Sequence, residues 1–310
     1  MTSCWIVTEG IAGTENQCLG VAEALGVMPE IKRIGLRQPW KSLSPYLGFE
    51  CGWSFTGDPL SPPWPDLLLA SGRKAIAAAR YIKRMSGAKT LCVQIQDPRV
   101  NPAQFDLVAV PAHDPARGEN VIVTSAAPNR ITAQRLADAR DEFAPLLSPL
   151  PALRVAVMIG GNSKAYTMSA EITRKLASDL KVLSHNGYSL MVTASRRTGE
   201  TNQQILKDVL QGENIYYWDG SGDNPYFGFL AWADFILVTA DSVSMISEAA
   251  STGKPVYMIP LEGGAKRLES FHNHLLQKGV IRRFSGTLSV YDYDPLNDAG
   301  LIAAEIRKQL

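Results

Sequence analysis

The residues best suited to chemistry collect late in the chain, at Thr239-Ala240-Asp241-Ser242 and, six positions on, at Glu248. Hydroxyls and a carboxylate gather here where an apolar run gives way to a helical one. That is where an open α/β sheet meets its ligands, because the first helical N–H groups lack partners and carry partial positive charge. Ser242, Ser244 and Asp241 would stand at such a helix start, and Glu248, less than two turns further, can look toward the same crevice. The alternative makes Ser242 only an N-cap and Glu248 only a solvated carboxylate.

Similar clusters recur at other strand ends. Gly160-Gly161-Asn162-Ser163-Lys164 follows the strong strand signal Leu153–Ile159 and precedes a helix expected from Tyr166 to about Ser184. Adjacent glycines let a phosphate approach the backbone, and Ser163 and Lys164 supply donors. The GxxxxGK[ST] spacing of a P-loop is absent, and a tight turn without a ligand is the alternative. Ser195-Arg196-Arg197-Thr198 puts two arginines at the next strand end, a place suited to a diphosphate, and the loop from Asp219 to Tyr226 suits a base or ribose. In the first half, Ser71-Gly72-Arg73-Lys74 opens a helix whose N-terminus can take an anion. His113, beside Asp114, is a candidate general base, with Asp97 and Glu9 as rivals. Polar residues that simply cap strand ends are the plainer reading of all three.

The elements that must position these residues alternate strand and helix throughout. Phe235–Val238 and Val256–Ile259 are short and rich in β-branched residues, the mark of buried parallel strands, and a helix lies between them. The first half shows the same rhythm from Cys4–Thr8 onward. A chain of 310 residues exceeds what one core usually fills. The proline-punctuated segment EFAPLLSPLPALR is the best linker. The expectation is therefore an α/β protein with two Rossmann-like, doubly wound domains facing a cleft. Residues 1–147 would form the first domain, 152–290 the second, and 291–310 a C-terminal helix that would pack back on the first domain. The first loop has only Gly10 and Gly13 and Arg37 follows the second strand, which argues against a nicotinamide dinucleotide.

A net charge of +1 with 20% charged residues gives no electrostatic case for nucleic acid. Cys4, Cys18, Cys51 and Cys92 lack metal-ligand spacing and read as reduced thiols. Asp292-Tyr293-Asp294 matches a DxD metal motif only formally, and a turn before Pro295 explains it better. No run is long enough for a transmembrane helix, and MTSCWIVTEG shows neither a charged n-region nor a long apolar h-region. Residues 38–65 break every periodic pattern while carrying Trp40, Tyr46, Phe49, Trp53, Phe55 and Trp64. Such an excursion either packs back as a satellite core or contacts a lipid, a protein partner or an acceptor substrate.

These features together resemble the GT-B glycosyltransferase architecture. GGNSKAY is similar to the phosphate-side turn of the lipid-linked muropeptide N-acetylglucosaminyltransferases, and ESFHNHLLQKGV to their following helix, with Asn273 at the Asn position. Closer still, TEGIAGTENQCLGVAEAL, QIQDPR, PAHD, GGNSKAYT, TASRRT, VTADSVSMISEA and TGKPV resemble the mitochondrial fission (elongated mitochondria) family. That resemblance implies a GT-B-like fold and, in plants, recruitment of a dynamin-like division GTPase to mitochondria. By resemblance to GT-B enzymes, Glu248 would hold the donor ribose. Ser242, Ser244 and the turn Gly160, Gly161, Asn162, Ser163, Lys164 would hold the diphosphate, with Arg196 adding charge. Asp241 departs from those enzymes, which have Gly there.

Two functions follow as expectations. One is a metal-independent glycosyltransferase needing no cofactor, with a nucleotide-diphosphate sugar as donor substrate; an epimerase is a related possibility. The other is a scaffold or adaptor without catalysis that binds a protein or membrane through residues 38–65, which requires exposed Trp53 and Phe55. Either would be cytoplasmic, with a peripheral place on a membrane left open.

Overall fold

The computed structural model describes residues 2–310. The first strand, β1 (Cys4–Thr8), is buried at every position, as a parallel strand covered on both faces must be. After it come α1 (Ala12–Leu25), β2 (Pro29–Leu36), the single turn α2 (Trp40–Leu43), β3 (Phe55–Gly57), β4 (Leu67–Ser71), α3 (Ala75–Met85), β5 (Leu91–Ile95), β6 (Leu107–Pro111) and β7 (Val121–Thr124). The chain continues through α4 (Ala133–Glu142), α5 (Ala144–Leu147), β8 (Arg154–Ile159), β9 (Tyr166–Thr167), α6 (Ala170–His185), β10 (Ser189–Ala194), α7 (Glu200–Val209) and β11 (Ile215–Trp218). It ends with α8 (Tyr226–Trp232), β12 (Phe235–Thr239), α9 (Val243–Ala250), β13 (Val256–Ile259), β14 (Glu262–Gly263), α10 (Lys266–Gln277), β15 (Ile281–Arg283) and α11 (Asp298–Arg307).

The chain divides into two compact units, residues up to Arg130 with Asn297–Leu310, and Ile131–Leu296. The division thus falls before α4 and not in the proline-rich segment. The reason is packing: α4 belongs with α8, where the Arg140 guanidinium lies 4.3 Å from the Trp232 ring and the indole donates to the Arg140 carbonyl at 2.9 Å.

In the first unit the sheet runs β3-β2-β1-β4-β5-β6-β7, with β2–β3 antiparallel and the other pairings parallel. The terminal helix α11 completes its core: Ile302 and Ile306 are fully buried in the cluster that holds Cys18 and Val21 of α1. Asp298, at the start of α11, accepts the backbone N–H groups of Ser125 at 2.8 Å and Ala126 at 2.9 Å. In the second unit the sheet runs β11-β10-β8-β12-β13-β15, all parallel, and β9 pairs antiparallel with β14 as a separate ribbon.

Both strand orders contain a reversal. The chain leaves β1 for β2 on one side and returns to β4 on the other; it leaves β8 for β10 and returns to β12. At such a reversal neighbouring connections diverge and leave a crevice at the carboxyl ends of the two strands. One lies between β1 and β4, the other between β8 and β12.

Within residues 38–65 part of the aromatic set packs inward. Trp64 meets Trp5 and Tyr81 edge-on at 6.0 and 6.1 Å, and Phe55 lies 5.2 Å from Tyr81. Phe55 is only 7% exposed whereas Trp53 is 62% exposed. The expectation that both rings face solvent therefore fails for Phe55, which starts β3 and points into the core between sheet and α3. Cys4, Cys18 and Cys92 are buried free thiols and Cys51 is an exposed one; burial pushes Cys4 and Cys92 up to about 12. Among the described residues no helix is long and apolar enough to cross a membrane.

Candidate functional site

In the second unit the crevice between β8 and β12 is bordered by Gly160 and Asp241. Strand pairing sets Val238 opposite Met158, so the residues just past both strands must meet. The Gly160 N–H donates to the Thr239 hydroxyl at 2.7 Å, and its carbonyl accepts from Ser195 at 2.7 Å and Thr198 at 2.6 Å. A Cβ on Gly160 would sit 2.3 Å from Asp241 Oδ2, and one on Gly161, at φ +135°, 2.4 Å from the Arg197 carbonyl. The paired glycines thus make room for chain atoms: a buried carboxylate and a crossing backbone. Asp241 Oδ2 lies 2.8 Å from Arg197 Nη2, with the Asp241 side chain fully buried and that of Arg197 46% exposed. Neither carboxylate oxygen has an aligned hydrogen bond, so proximity of opposite charge holds the pair. A negative group just before the α9 N-terminus is also favoured by the helix dipole.

The rest of the turn is spent locally. Asn162 donates its N–H to the Arg197 carbonyl at 2.9 Å and accepts from Met168 N–H at 2.9 Å. Ser163 Oγ accepts from Tyr166 N–H at 3.0 Å and Ala165 N–H at 3.2 Å. The expected helix start at Tyr166 is displaced to Ala170, capped by Ser169, because Tyr166–Thr167 instead pairs with Glu262–Gly263. Ser163 and Lys164 therefore precede a ribbon, not a helix. Lys164 and Arg196 are exposed. Ser242 caps α9, accepting Met245 N–H at 3.4 Å, and Ser244 lies in its first turn, partly buried.

Glu248, in the second turn of α9, is partly buried and accepts a hydrogen bond from the Tyr226 phenol at the start of α8. Burial raises the carboxyl to about 7, against a smaller lowering by the Tyr226 hydrogen bond. The phenol is pushed well above its ordinary value by burial and by the adjacent carboxylate. Glu248 is therefore not a freely solvated carboxylate. Past the ends of β12 and β13 a cavity of about 330 Å³ is lined by Tyr166, Ala240, Met258, Pro260, Asn273 and Arg283, among others. Asn273 is exposed on α10, next to the buried His272. Glu269 and Asp241 raise Tyr166 further after burial, while Arg283 lowers it, so the cavity wall carries both signs of charge.

In the first unit the crevice between β1 and β4 is occupied. Glu9, just past β1, accepts the Lys74 N–H at 2.8 Å with one oxygen and meets the Lys74 ammonium at 2.9 Å with the other. The anion expected at the start of α3 is thus the protein's own carboxylate. Asp97 folds into a local turn, accepting Arg99 N–H at 2.8 Å. His113 lies past β6 with its side chain buried, Nε2 3.7 Å from Asp114 Oδ1, beyond hydrogen-bond length but within ion-pair reach. Glu9, Asp97 and His113 share one sheet edge but follow β1, β5 and β6; β1 and β6 are three strand spacings apart, roughly 14 Å.

Sequence reasoning reached the strand ends in both units but not how their residues pair. Arg197 and not Arg196 meets Asp241, and nothing in two adjacent arginines distinguishes them. Tyr226 was visible only as the end of a polar loop, and Glu269, His272 and Arg283 carried no signal of the cavity. Tyr293, between Asp292 and Asp294, donates to the Lys254 carbonyl at 2.9 Å while both aspartates are exposed, and the segment forms no turn before Pro295.

A model of the family described as mitochondrial fission ELM1 matches residues 12–310. The mitochondrial fission protein ELM1 of Arabidopsis thaliana is 34% identical over 279 residues, which cover 79% of this chain and 64% of that protein. The match therefore spans less than two thirds of the plant protein. An uncharacterized protein, RP120, of Rickettsia prowazekii (strain Madrid E) is 30% identical over 286 residues, 78% of this chain and 79% of that one. Among solved structures, the UDP-GlcNAc 2-epimerase of Methanocaldococcus jannaschii in complex with UDP-GlcNAc and UDP aligns with TM-score 0.56 at 12% identity, covering 99% of both chains. MurG of Acinetobacter baumannii aligns with TM-score 0.51 at 13% identity, covering 99% of this chain and 90% of that one. At such identity the likeness establishes the fold alone, which is GT-B-like.

Proposed function

The chain belongs to the mitochondrial fission ELM1 family, and from that premise we propose that it is a GT-B-like glycosyltransferase using a nucleotide-diphosphate sugar without a metal ion. The observation that carries the reading is the partly buried pair of Glu248 on α9 and Tyr226 on α8, downstream of a sheet reversal. An acceptor oriented by a phenol there suits the hydroxyls of a ribose. Asn273 and the cavity beside it suit the sugar. Ser242, Ser244 and the exposed Lys164 and Arg196 suit the diphosphate, whose departing charge they would stabilise. His113, buried beside Asp114, is the base that would deprotonate an acceptor hydroxyl, with Asp97 as rival. Glu9 is the weakest of the three, since both of its oxygens are held by Lys74. That a protein of the same fold is described in complex with UDP-GlcNAc and UDP supports a nucleotide sugar as the ligand class.

One observation favours a second reading, a scaffold without catalysis that binds a protein or membrane partner. Asp241 and Glu9 each place a carboxylate of the chain itself where a ligand anion would otherwise lie. Calorimetry with UDP-, GDP-, ADP- and CMP-sugars separates the two, with Glu248→Ala as control. The first reading expects binding of at least one sugar nucleotide that the control weakens. Absence of binding to every one at millimolar concentration refutes it and leaves the scaffold.

A further inference from the structure

Between Arg37 and Ser54 the first unit displays a run of exposed apolar side chains: Leu43 is 51% exposed, Tyr46 71%, Phe49 91% and Trp53 62%. The segment is fastened from beneath. Arg80 on α3 donates to the carbonyls of Pro45 at 2.8 Å and Leu47 at 2.9 Å, Arg84 donates to the carbonyl of Glu50, and the Trp40 indole donates to Gly48 at 3.3 Å. Phe49 has φ +62°, a left-handed backbone that bulky residues rarely adopt and that persists only where the surroundings impose it. A well-held framework therefore presents this ring almost wholly to solvent, which burial alone does not explain.

The charge distribution completes the pattern. Glu50 is the one carboxylate between residues 37 and 54, and it is buried against Arg80 and Arg84. Arg37 and Lys41 remain exposed. The Arg37 guanidinium lies 5.4 Å from the Trp53 ring and donates to the Trp53 carbonyl at 2.6 Å. The exposed side chains of this segment are thus mainly apolar, aromatic or cationic, and its own carboxylate is withdrawn.

We propose that this face docks on an anionic lipid bilayer, with Phe49, Trp53 and Tyr46 entering the headgroup region and Arg37 and Lys41 pairing with lipid phosphates. Trp and Tyr favour that depth because an apolar ring and a polar tip are both satisfied there. Exposed cations add attraction to an anionic leaflet that salt weakens. A fluid surface accommodates scattered side-chain tips, whereas a protein partner would need a pocket for each. The inference is independent of whether the second unit binds a nucleotide.

The test is sedimentation of the full chain with vesicles of phosphatidylcholine alone and of phosphatidylcholine containing roughly one third phosphatidylglycerol. Binding to the anionic vesicles should be about tenfold tighter or more and should fall with added salt. The double variant Phe49→Ser, Trp53→Ser should lose roughly tenfold or more, and Arg37→Glu with Lys41→Glu should abolish the preference for anionic vesicles. Should the serine variant melt early, Tyr46→Ser serves in its place with the same expected direction. Failure of the unaltered chain to sediment with anionic vesicles overturns the proposal and assigns the face to a protein partner. Equal binding to both vesicle types, or undiminished binding by the serine variant, overturns it as well.

Discussion

Replacing Glu248 by Gln isolates the electrostatic cost of placing a carboxyl between α8 and α9. The native carboxyl titrates near 7 against an ordinary value of 4.5, chiefly because burial penalises the charged form. Between those values the native state binds the proton that the unfolded chain has released, so stability falls as pH rises across this window. The contribution is fully present below 4.5 and fully lost above 7. At about 1.4 kcal/mol per pH unit the loss is about 3 kcal/mol at most, and less where solvent reaches the carboxyl. Glu248→Gln keeps an oxygen to accept from Tyr226 and cannot ionise. The variant should match the unaltered protein near pH 4.5 and exceed it progressively toward pH 8. Urea unfolding from pH 5 to 8, followed by Trp218 and Trp232 fluorescence in the second unit, measures the difference. A stability difference that does not change with pH would refute the reasoning.

Three further outcomes follow from packing and charge. Gly160→Ala drives a Cβ to 2.3 Å from the buried Asp241 carboxylate and should cost about 2–4 kcal/mol by thermal or urea unfolding. Adding Asp241→Gly should recover much of that loss, and strictly additive costs would locate the clash elsewhere. Glu9→Gln breaks a partly exposed ion pair with Lys74 and should cost about 1 kcal/mol or less; inorganic phosphate should then raise the melting temperature of the variant more than that of the parent, and equal responses would show that Glu9 does not fill an anion site. Asp298→Ala removes the acceptor of two backbone N–H groups, at 2.8 and 2.9 Å, and should cost about 2–3 kcal/mol, whereas an unchanged urea midpoint would mean that α11 docks through Ile302 and Ile306 alone.

The strands were legible because each is a short apolar run ended by polar or glycine residues. Cys4–Thr8 and Val256–Ile259 are found at their expected limits, and the strands expected at Leu153–Ile159 and Phe235–Val238 are found within one residue of theirs. Parallel strands buried on both faces leave little other reading of such runs. The helix expected from Tyr166 failed at its start because a partner far along the chain, Glu262–Gly263, claimed Tyr166–Thr167. No local pattern reveals a two-residue ribbon. Phe55 likewise was one aromatic among several, until β3 paired with β2 and turned it inward.

By itself the sequence determined that the protein is built of parallel strands and helices, and that hydroxyls, carboxylates and arginines stand at the strands' carboxyl ends. Those are local properties of side-chain periodicity and composition. Only the tertiary structure decided which of these polar groups remain for a ligand and which are spent on one another. The adjacency of β8 and β12 brings Asp241 under Gly160 and against Arg197, and that of β1 and β4 brings Glu9 to Lys74. Strand order is set by long-range pairing across the core, so a residue's electrostatic partner is chosen by the whole sheet and not by its neighbours in the chain.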